Sequence, residues 1–285
     1  MSLSVLNNIS SLEAQNSLST TQMSLNQTLQ QLSTGARINS GADDPAGLAI
    51  ANGLQANVTA LTQSVQNATD GVGMLQVADG ALSQITTLLN TAVSLATESA
   101  TGTVSDNQRT SLQAEFASIQ QEITNIGTNT TYNGQAIFSS VAALTVYMSD
   151  SSSVGATLIS VTLGQVDDAN LGTTGGTTPT AVSIASDNLS SASGAQAALA
   201  DINAAIQGVA LLRGNLGATS NQLSSAVNVM NVQITNLQNA ESGIMDANIG
   251  TTTANLSKFS ILEQTGIAAL QQSNQMQQAV LKLLQ

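Results

Sequence analysis

The chain has 285 residues, and only 8% of them are charged: seventeen acidic and five basic residues give a formal net charge of −12. It contains no Cys and no His, which excludes thiol catalysis, Ser-His-Asp triads and Cys/His zinc sites, and the acidic balance argues against nucleic acid as a partner. Asn, Gln, Ser and Thr fill polar positions where a monomeric helical protein usually carries Lys and Glu, so we expect much of the surface to contact other protein.

The N-terminal segment has the spacing of a long amphipathic helix. It begins MSLSVLNNISSLEAQ, which lacks the basic and apolar regions of a cleaved secretory signal. Alternating steps of four and three residues place one face at Leu18, Gln22, Leu25, Leu29 and Leu32. We expect this helix to end near Thr34, with Gly35 as its C-terminal stop.

The stretch RINSGADDPAG, residues 37–47, concentrates charge in a chain that has little. Asp44 is suited to cap the next helix and Pro45 to occupy its first position. A capped turn explains these two residues but not the other polar ones. We therefore expect either a hydrogen-bonded cluster that fixes the angle between two long helices or a contact with a neighbouring copy. We call this segment the inter-rod junction and assign it to Arg37, Asn39, Ser40, Asp43 and Asp44.

Three further stretches carry apolar residues about every 3.5 positions, the spacing of long packed helices. Residues 54–96 have eleven of thirteen ladder positions apolar, and residues 199–244 have eleven of fourteen. A shorter ladder at residues 112–126 follows Ser105, which we expect to cap its helix. The three helices are predicted to pack along one seam.

Between residues 130 and 188 the apolar spacing changes to about two residues, which is typical of strands. TYNGQAIF, residues 131–138, contains an Asn-Gly turn signal. LTVYM, ATLISVTL and TAVSIA alternate between clusters of Gly, Thr and Ser. This part of the chain is predicted to be a small β-rich insertion.

The C-terminal segment returns to helical spacing, with a ladder at Phe259, Leu262, Gly266, Ala269, Ser273, Met276, Val280 and Leu283. Neither terminal helix has enough core to be stable alone, because most helix stability in proteins comes from packing. We expect the two terminal helices to pair in a coiled coil. The assembly interface is assigned to Leu18, Leu25, Leu29, Leu32, Phe259, Leu262, Met276, Val280 and Leu283.

These patterns predict a mainly α fold: an elongated antiparallel helical bundle or coiled coil from the N- and C-terminal segments, with a small β-rich central insertion. The carboxylate pairs at residues 43–44 and 167–168 lack a third carboxylate at EF-hand spacing, so no metal or cofactor is expected. Without a credible base or nucleophile, the chain is predicted not to be an enzyme. No run of about eighteen apolar residues occurs, so membrane insertion is not expected.

Several segments resemble one family, bacterial flagellin, the subunit of the flagellar filament. In the N-terminal half the similarity is carried by LSTGARINSGADDPAGLAIANGL (residues 32–54) and NATDGVGMLQVADGALSQI (67–85). In the C-terminal half it is carried by RGNLGATSNQL (213–223) and SKFSILEQTGIAALQQSNQMQQAVLKLL (257–284). The middle of the chain resembles nothing that we can name, as expected for the variable part of that family.

The resemblance implies three domains: a terminal coiled coil inside the filament from residues 1–42 and 246–285, a helical bundle from 43–140 and 190–245, and a small β-rich variable domain facing outward at 141–189. It implies an open helical filament of identical subunits on the extracellular bacterial flagellum. It also implies type III export without a cleaved signal peptide, with a flagellar export chaperone, cap and hook-associated proteins as partners.

Two other functions compete with a motility filament subunit. A hook-filament junction protein shares the terminal coiled-coil plan, and its failure to elongate into filaments would distinguish it. The cytoplasmic signalling hairpin of a chemoreceptor is also long, heptad-based and rich in Ala, Gln and Ser. The β-rich insertion would interrupt such a hairpin, however, and the terminal motifs would be unexplained.

Overall fold

The computed structural model describes residues 8–138, 143–149, 157–171 and 182–283. Its contacts group into two units, Met1–Ala56 with Thr235–Gln285, and Asn57–Ile234. This grouping does not test the three predicted domains, whose boundaries stay a prediction.

The first unit contains the two terminal helices, α1 (Ile9–Thr34) and α5 (Ile249–Leu283), packed antiparallel. At one end Asn8 caps α1 by accepting a hydrogen bond from the Ser11 N–H at 3.0 Å, and its amide donates to Gln277 Oε1 at 3.0 Å. At the other end the Ala247 N–H donates to the Gly35 carbonyl at 2.8 Å. The predicted pairing of the two ends of the chain is confirmed.

The three internal helices are α2 (Pro45–Ala100), α3 (Asp106–Asn129) and α4 (Ala192–Met245), and each contains one of the predicted ladders. Their apolar positions form the core of the second unit, where the largest fully buried side chains include Leu75, Leu82, Ile85, Leu89, Phe116, Ile123, Ile202 and Leu223.

An ion pair joins α2 to α4 at a place where both ladders are interrupted by charge. The Arg213 Nε lies 2.7 Å from Asp79 Oδ1, and the guanidinium also reaches Asp79 Oδ2 at 3.3 Å. The hydrogen bond to Asp79 raises the pKa of Arg213. Asp79 and Arg213, the charged residues at this point of the two ladders, therefore satisfy each other.

A buried arginine satisfies the C-terminal end of α2. Arg109, only 7% exposed, donates to the carbonyls of Ser99 at 2.9 Å, Thr101 at 2.8 Å and Val104 at 2.8 Å. The last carbonyls of a helix lack intrahelical partners and carry partial negative charge. The Arg109 guanidinium supplies hydrogen-bond donors to these carbonyls and offsets their negative charge.

The β-rich part consists of two hairpins. The strands β1 (Thr131–Tyr132) and β2 (Gln135–Ala136) are joined by Asn133 and Gly134, whose positive φ angles of 50° and 76° fit a type I′ turn. The strands β3 (Ala143–Met148) and β4 (Thr157–Thr162) pair antiparallel in register from Ala143↔Thr162 to Met148↔Thr157.

The predicted strand TAVSIA is wrong over its described residues. Val182 makes one isolated bridge with Leu171, and the Ile184 N–H then donates to the Asp168 carbonyl at 2.8 Å. The Asp187 N–H turns back to the Ile184 carbonyl at 3.2 Å. Ile184 is buried, but it lies in a turning segment and not in a strand ladder. Thr180 and Ala181 lie outside the described residues.

By composition and length alone, α4 has a stretch apolar enough to cross a membrane, with a mean hydropathy of 1.3. Core helices of soluble proteins pass the same test. Ile202, Val209 and Leu223 of this helix are fully buried, and the charged Arg213 lies among them. Packing accounts for the apolar residues on the buried face of α4, whereas Leu211, Val229 and Val232 are exposed. The absence of membrane insertion stays a prediction.

Gly127 permits a close approach between α3 and the chain that follows β4. A Cβ atom at this position would overlap the Val166 carbonyl oxygen, whereas a Cβ at Gly80 of α2 would meet nothing within 4 Å. We expect Gly127→Ala to lower the free energy of unfolding by about 1–3 kcal/mol, because backbone must move to relieve the overlap. Urea unfolding should show that Gly80→Ala is instead stabilising by about 0.5–1 kcal/mol. Equal effects of the two substitutions would contradict the close approach.

Asp187, just before α4, is a partly buried carboxyl whose Oδ2 atom is enclosed. Burial, and then the charge of Asp201 and a hydrogen bond to that side chain, raises the pKa of Asp187 to about 6. The folded protein therefore holds a proton that the unfolded chain releases near its ordinary pKa of 3.8. The stability that this proton provides is complete below that lower value and is lost as the pH rises through about 6.

We expect Asp187→Asn to raise the free energy of unfolding at neutral pH by about 1 kcal/mol, well below the full value of the pKa difference because the group is partly solvated. In acid, below the unfolded pKa, the substitution should have little effect. Urea unfolding at both pH values measures this. A change of equal size in acid and at neutral pH would show that the effect is not electrostatic.

Candidate assembly site

Leucines together with small and polar side chains form the face of α1 that meets α5. Leu18 packs onto Gly266, since a Cβ built on that glycine would lie 3.3 Å from Leu18 Cδ1. Leu25, Thr28 and Thr252 are buried. The two threonine hydroxyls donate to carbonyls of their own helices, so their burial leaves no donor unsatisfied.

The residues assigned to the assembly interface fall into two groups. Leu18, Leu32 and Phe259 are half-buried and Leu25 is buried. Leu29, Leu262 and Met276 are exposed, Met276 at 59%. The side chains of Val280 and Leu283 lie outside the described residues.

Large apolar side chains lie on the outside of this helix pair. On α1, Ile9 is 67% exposed and Met23 is 62% exposed, and on α5, Ile261 is 63% exposed. Leu12 and Ile267 are exposed as well. A monomeric helix pair places its large apolar residues between the helices, so this arrangement is the signature of surfaces that bind other protein.

Arg37 of the junction caps the C-terminal end of α4. Its guanidinium donates to the Ile244 carbonyl at 2.6 Å, and its backbone N–H donates to the Met245 carbonyl at 2.6 Å. Its own carbonyl accepts from the Gln31 amide at 3.0 Å. The residue thus joins the end of α1 to the end of α4.

Asp43 organises the loop between α1 and α2. Its Oδ2 accepts hydrogen bonds from the backbone N–H groups of Asn39 at 3.0 Å and Ser40 at 2.9 Å, and from the Ser40 hydroxyl at 3.1 Å. These bonds, that from the Asn39 N–H first, lower the pKa of Asp43. The Asn39 amide in turn donates to the Ala36 carbonyl at 2.9 Å.

Asp44 caps α2, as its Oδ1 accepts from the Gly47 N–H at 2.9 Å. Ile38, only 3% exposed, lies against the same glycine, where a Cβ atom would be 2.8 Å from Ile38 Cδ1. The sequence analysis did not single out Ile38. Its burial could have been predicted from the sequence, because Ile38 is the one large apolar residue in RINSGADDPAG.

The structure therefore brings all five junction residues into one hydrogen-bonded loop that contacts α4, and it leaves their role in assembly a prediction. Over the described ranges, no group of three or more acidic side chains could hold a metal ion. The site offers apolar surface and a fixed turn.

Known proteins match this chain at both ends. Residues 5–143 match the bacterial flagellin N-terminal helical region, and residues 199–284 match the bacterial flagellin C-terminal helical region. The chain is 31% identical to the flagellin of Listeria monocytogenes over 285 residues, 99% of each chain. The chain belongs to the bacterial flagellin family. Flagellin FlaB2 of Treponema pallidum is also 31% identical, over 97% of this chain and 98% of that relative.

Family membership confirms the resemblance seen in the sequence and the mainly α fold. As a flagellin, this protein is a structural subunit of a bacterial flagellar filament, an extracellular assembly of identical subunits. A solved structure of a putative flagellar hook-associated protein from Vibrio parahaemolyticus shares the fold, with a TM-score of 0.59 over 72% of this chain and all of that one. At 14% identity that likeness shows the fold alone, and it does not favour the junction-protein alternative.

Proposed function

We propose that this flagellin polymerises by burying the exposed apolar faces of α1 and α5 against other copies of itself, while the inter-rod junction fixes the geometry of each subunit. The observation that carries the proposal is the exposure of large apolar side chains on the outer faces of the terminal pair. Leu18 packs on Gly266 and Leu25 is buried, yet Ile9, Met23 and Ile261 lie outside the pair.

The composition supports an open polymer. In a helical filament one patch of each subunit meets a different patch on the next, so every surface near the axis is repeated at short intervals. Repeated burial of unpaired charge would be costly. From Ile249 to Leu283, α5 carries Lys258, Glu263 and Lys282 as its charged residues, and the remaining polar positions are neutral.

The 37–47 loop supports a fixed junction. Its contacts run to α1 through Gln31, to α4 through Ile244 and Met245, and to the start of α2 through Asp44. We propose that Arg37, Asn39, Ser40, Asp43 and Asp44 hold these helix ends at one angle, because several hydrogen bonds must break together before the angle changes.

We also propose type III export without a cleaved signal peptide, and interaction with an export chaperone, the filament cap and hook-associated proteins. The support is the weak intramolecular pairing of α1 with α5. Helices with so little core between them can remain unfolded during transit and fold when neighbours supply the missing contacts.

Met276→Gln tests the apolar face of α5. We expect the monomer to keep its helix content while the critical concentration for filament growth rises at least about tenfold, because burial of such a side chain is worth about 1.5–3 kcal/mol. Sedimentation of filaments after seeding measures this. The control is Leu158→Gln on β4, equally exposed at 59% but within the segment proposed to face outward. Equal loss of growth in both variants, or normal growth of Met276→Gln, would contradict the proposal.

Arg37→Ala tests the junction. We expect filament formation to fail or filament shape to change, because the Ile244 carbonyl loses its charged partner, while the helix at residues 54–96 remains intact. Arg37→Lys keeps the charge without the planar fork and should be affected less. Electron microscopy of filaments and hydrogen exchange of residues 54–96 report the two effects separately. Normal filaments and normal swimming in Arg37→Ala would rule out the junction role.

A further inference from the structure

A cleft of about 710 Å³ lies in the second unit, where α2, the β1–β2 hairpin and β3 meet. Gly71 and Met74 of α2 line one side, Tyr132 and Gln135 of the hairpin line another, and Tyr147 of β3 lines the third. Its volume is within the range of about 300–1,000 Å³ that is typical of small-molecule sites. None of its lining residues belongs to the assembly surface described above.

The walls of the cleft are held in place by side chains. The Ser64 hydroxyl donates to the Ser149 carbonyl and accepts from the Ser149 N–H, each at 2.9 Å, which ties the end of β3 to α2. The Asn67 amide donates to the Tyr147 carbonyl at 3.2 Å. A Cβ on Gly71 would come within 2.9 Å of Val146, so this glycine allows β3 to approach the helix closely.

Both tyrosines of the chain lie at this cleft. The whole chain has two tyrosines and no tryptophan, and both tyrosines line the cleft. A Cβ atom built on Gly73 would lie 3.3 Å from the Tyr132 hydroxyl, so the Tyr132 side chain packs against α2. Tyr147 is 53% exposed at the rim. A ring that is apolar on its faces and polar at its hydroxyl suits a ligand with both kinds of surface.

The polar groups of the cleft favour a neutral ligand rich in hydroxyls. Asp70 supplies a carboxylate whose Oδ1 is held by the Gln66 amide at 3.0 Å. Asn133, Gln135 and Thr145 supply amides and a hydroxyl, which both donate and accept hydrogen bonds. Among the described residues that line the cleft none is basic, so phosphate or sulfate groups would lack a partner.

We propose that this cleft binds a neutral saccharide. The Tyr132 ring packs against the C–H face of a sugar ring. The Asp70 carboxylate accepts hydrogen bonds from the sugar hydroxyls, and the neighbouring amides both donate and accept. The site lies on the monomer, so its occupancy does not depend on the assembly mechanism proposed above.

Tyrosine fluorescence reports on this cleft directly, because the two tyrosines that line it are the intrinsic fluorophores of a chain without tryptophan. The full-length purified subunit should be titrated with maltose, cellobiose, lactose and chitobiose up to about 50 mM, where a site with a Kd of about 1 mM would be saturated. We expect a saturable change with at least one of these sugars and a matching heat in calorimetry. No saturable response to any of them would overturn the proposal.

Two variants and a matched control locate the binding. Asp70→Asn and Gln135→Ala should each weaken binding about tenfold, because each removes a group that bonds a sugar hydroxyl. Glu98→Gln, an exposed acid on the same helix but outside the cleft, should bind as the parent does. Equal affinity in all three variants would place the binding elsewhere and overturn the proposal. So would a response to choline with none to the sugars, which would indicate a cation site of the tyrosines and Asp70.

Discussion

The pairing of the two ends of the chain is the interaction on which the structure depends. Asn8 and Ser273, 265 positions apart, are brought into contact when α1 lies against α5. Closing so long a segment costs entropy, and small or polar groups such as Thr28 and Gly266 return little apolar burial between the helices. A pair of this kind is weakly stabilised in one molecule. Because copies that cover its outer face would bind only the paired form, assembly and folding of the ends would reinforce each other.

The few arginines are used within the molecule. Arg109 and Arg37 each donate to carbonyls at the C-terminal end of a long helix. Arg213 pairs with Asp79, an acidic residue that interrupts the apolar ladder of α2. A guanidinium offers several donors in a fixed fork, so one residue can satisfy several carbonyls. Charge is placed where helix ends or interrupted ladders require it, which leaves neutral side chains over much of α1 and α5.

Features that depend on local chemistry were predictable from the sequence. The stop at Gly35, the cap at Asp44 and the type I′ turn at Asn133 each follow from neighbouring residues alone. Features that depend on the environment were not. Ile184 alternates as a strand residue does, yet its N–H bonds to the Asp168 carbonyl in a turn. The raised pKa of Asp187 depends first on burial and then on Asp201, which is fourteen positions along the chain. Neither relation leaves a periodic signal.

The ladder of α5 shows why periodicity found the helix but merged two of its faces. The half-buried positions include Phe259, Glu263, Gly266, Leu270 and Ser273, whereas Leu262 and Met276 of the predicted ladder are exposed. An apolar count adds every hydrophobic residue together, whether it meets α1 or faces outward. A helix with one partner in its own chain and others in a filament needs two apolar faces. A straight α-helix rotates about 20° per heptad relative to a seven-residue repeat, so a ladder with that repeat passes from one face towards the other. Size does not separate the two faces either, because Phe259 and Leu270 lie on the intramolecular side while Leu262 and Met276 lie on the outer side. Only the contacts made in the folded pair distinguish them.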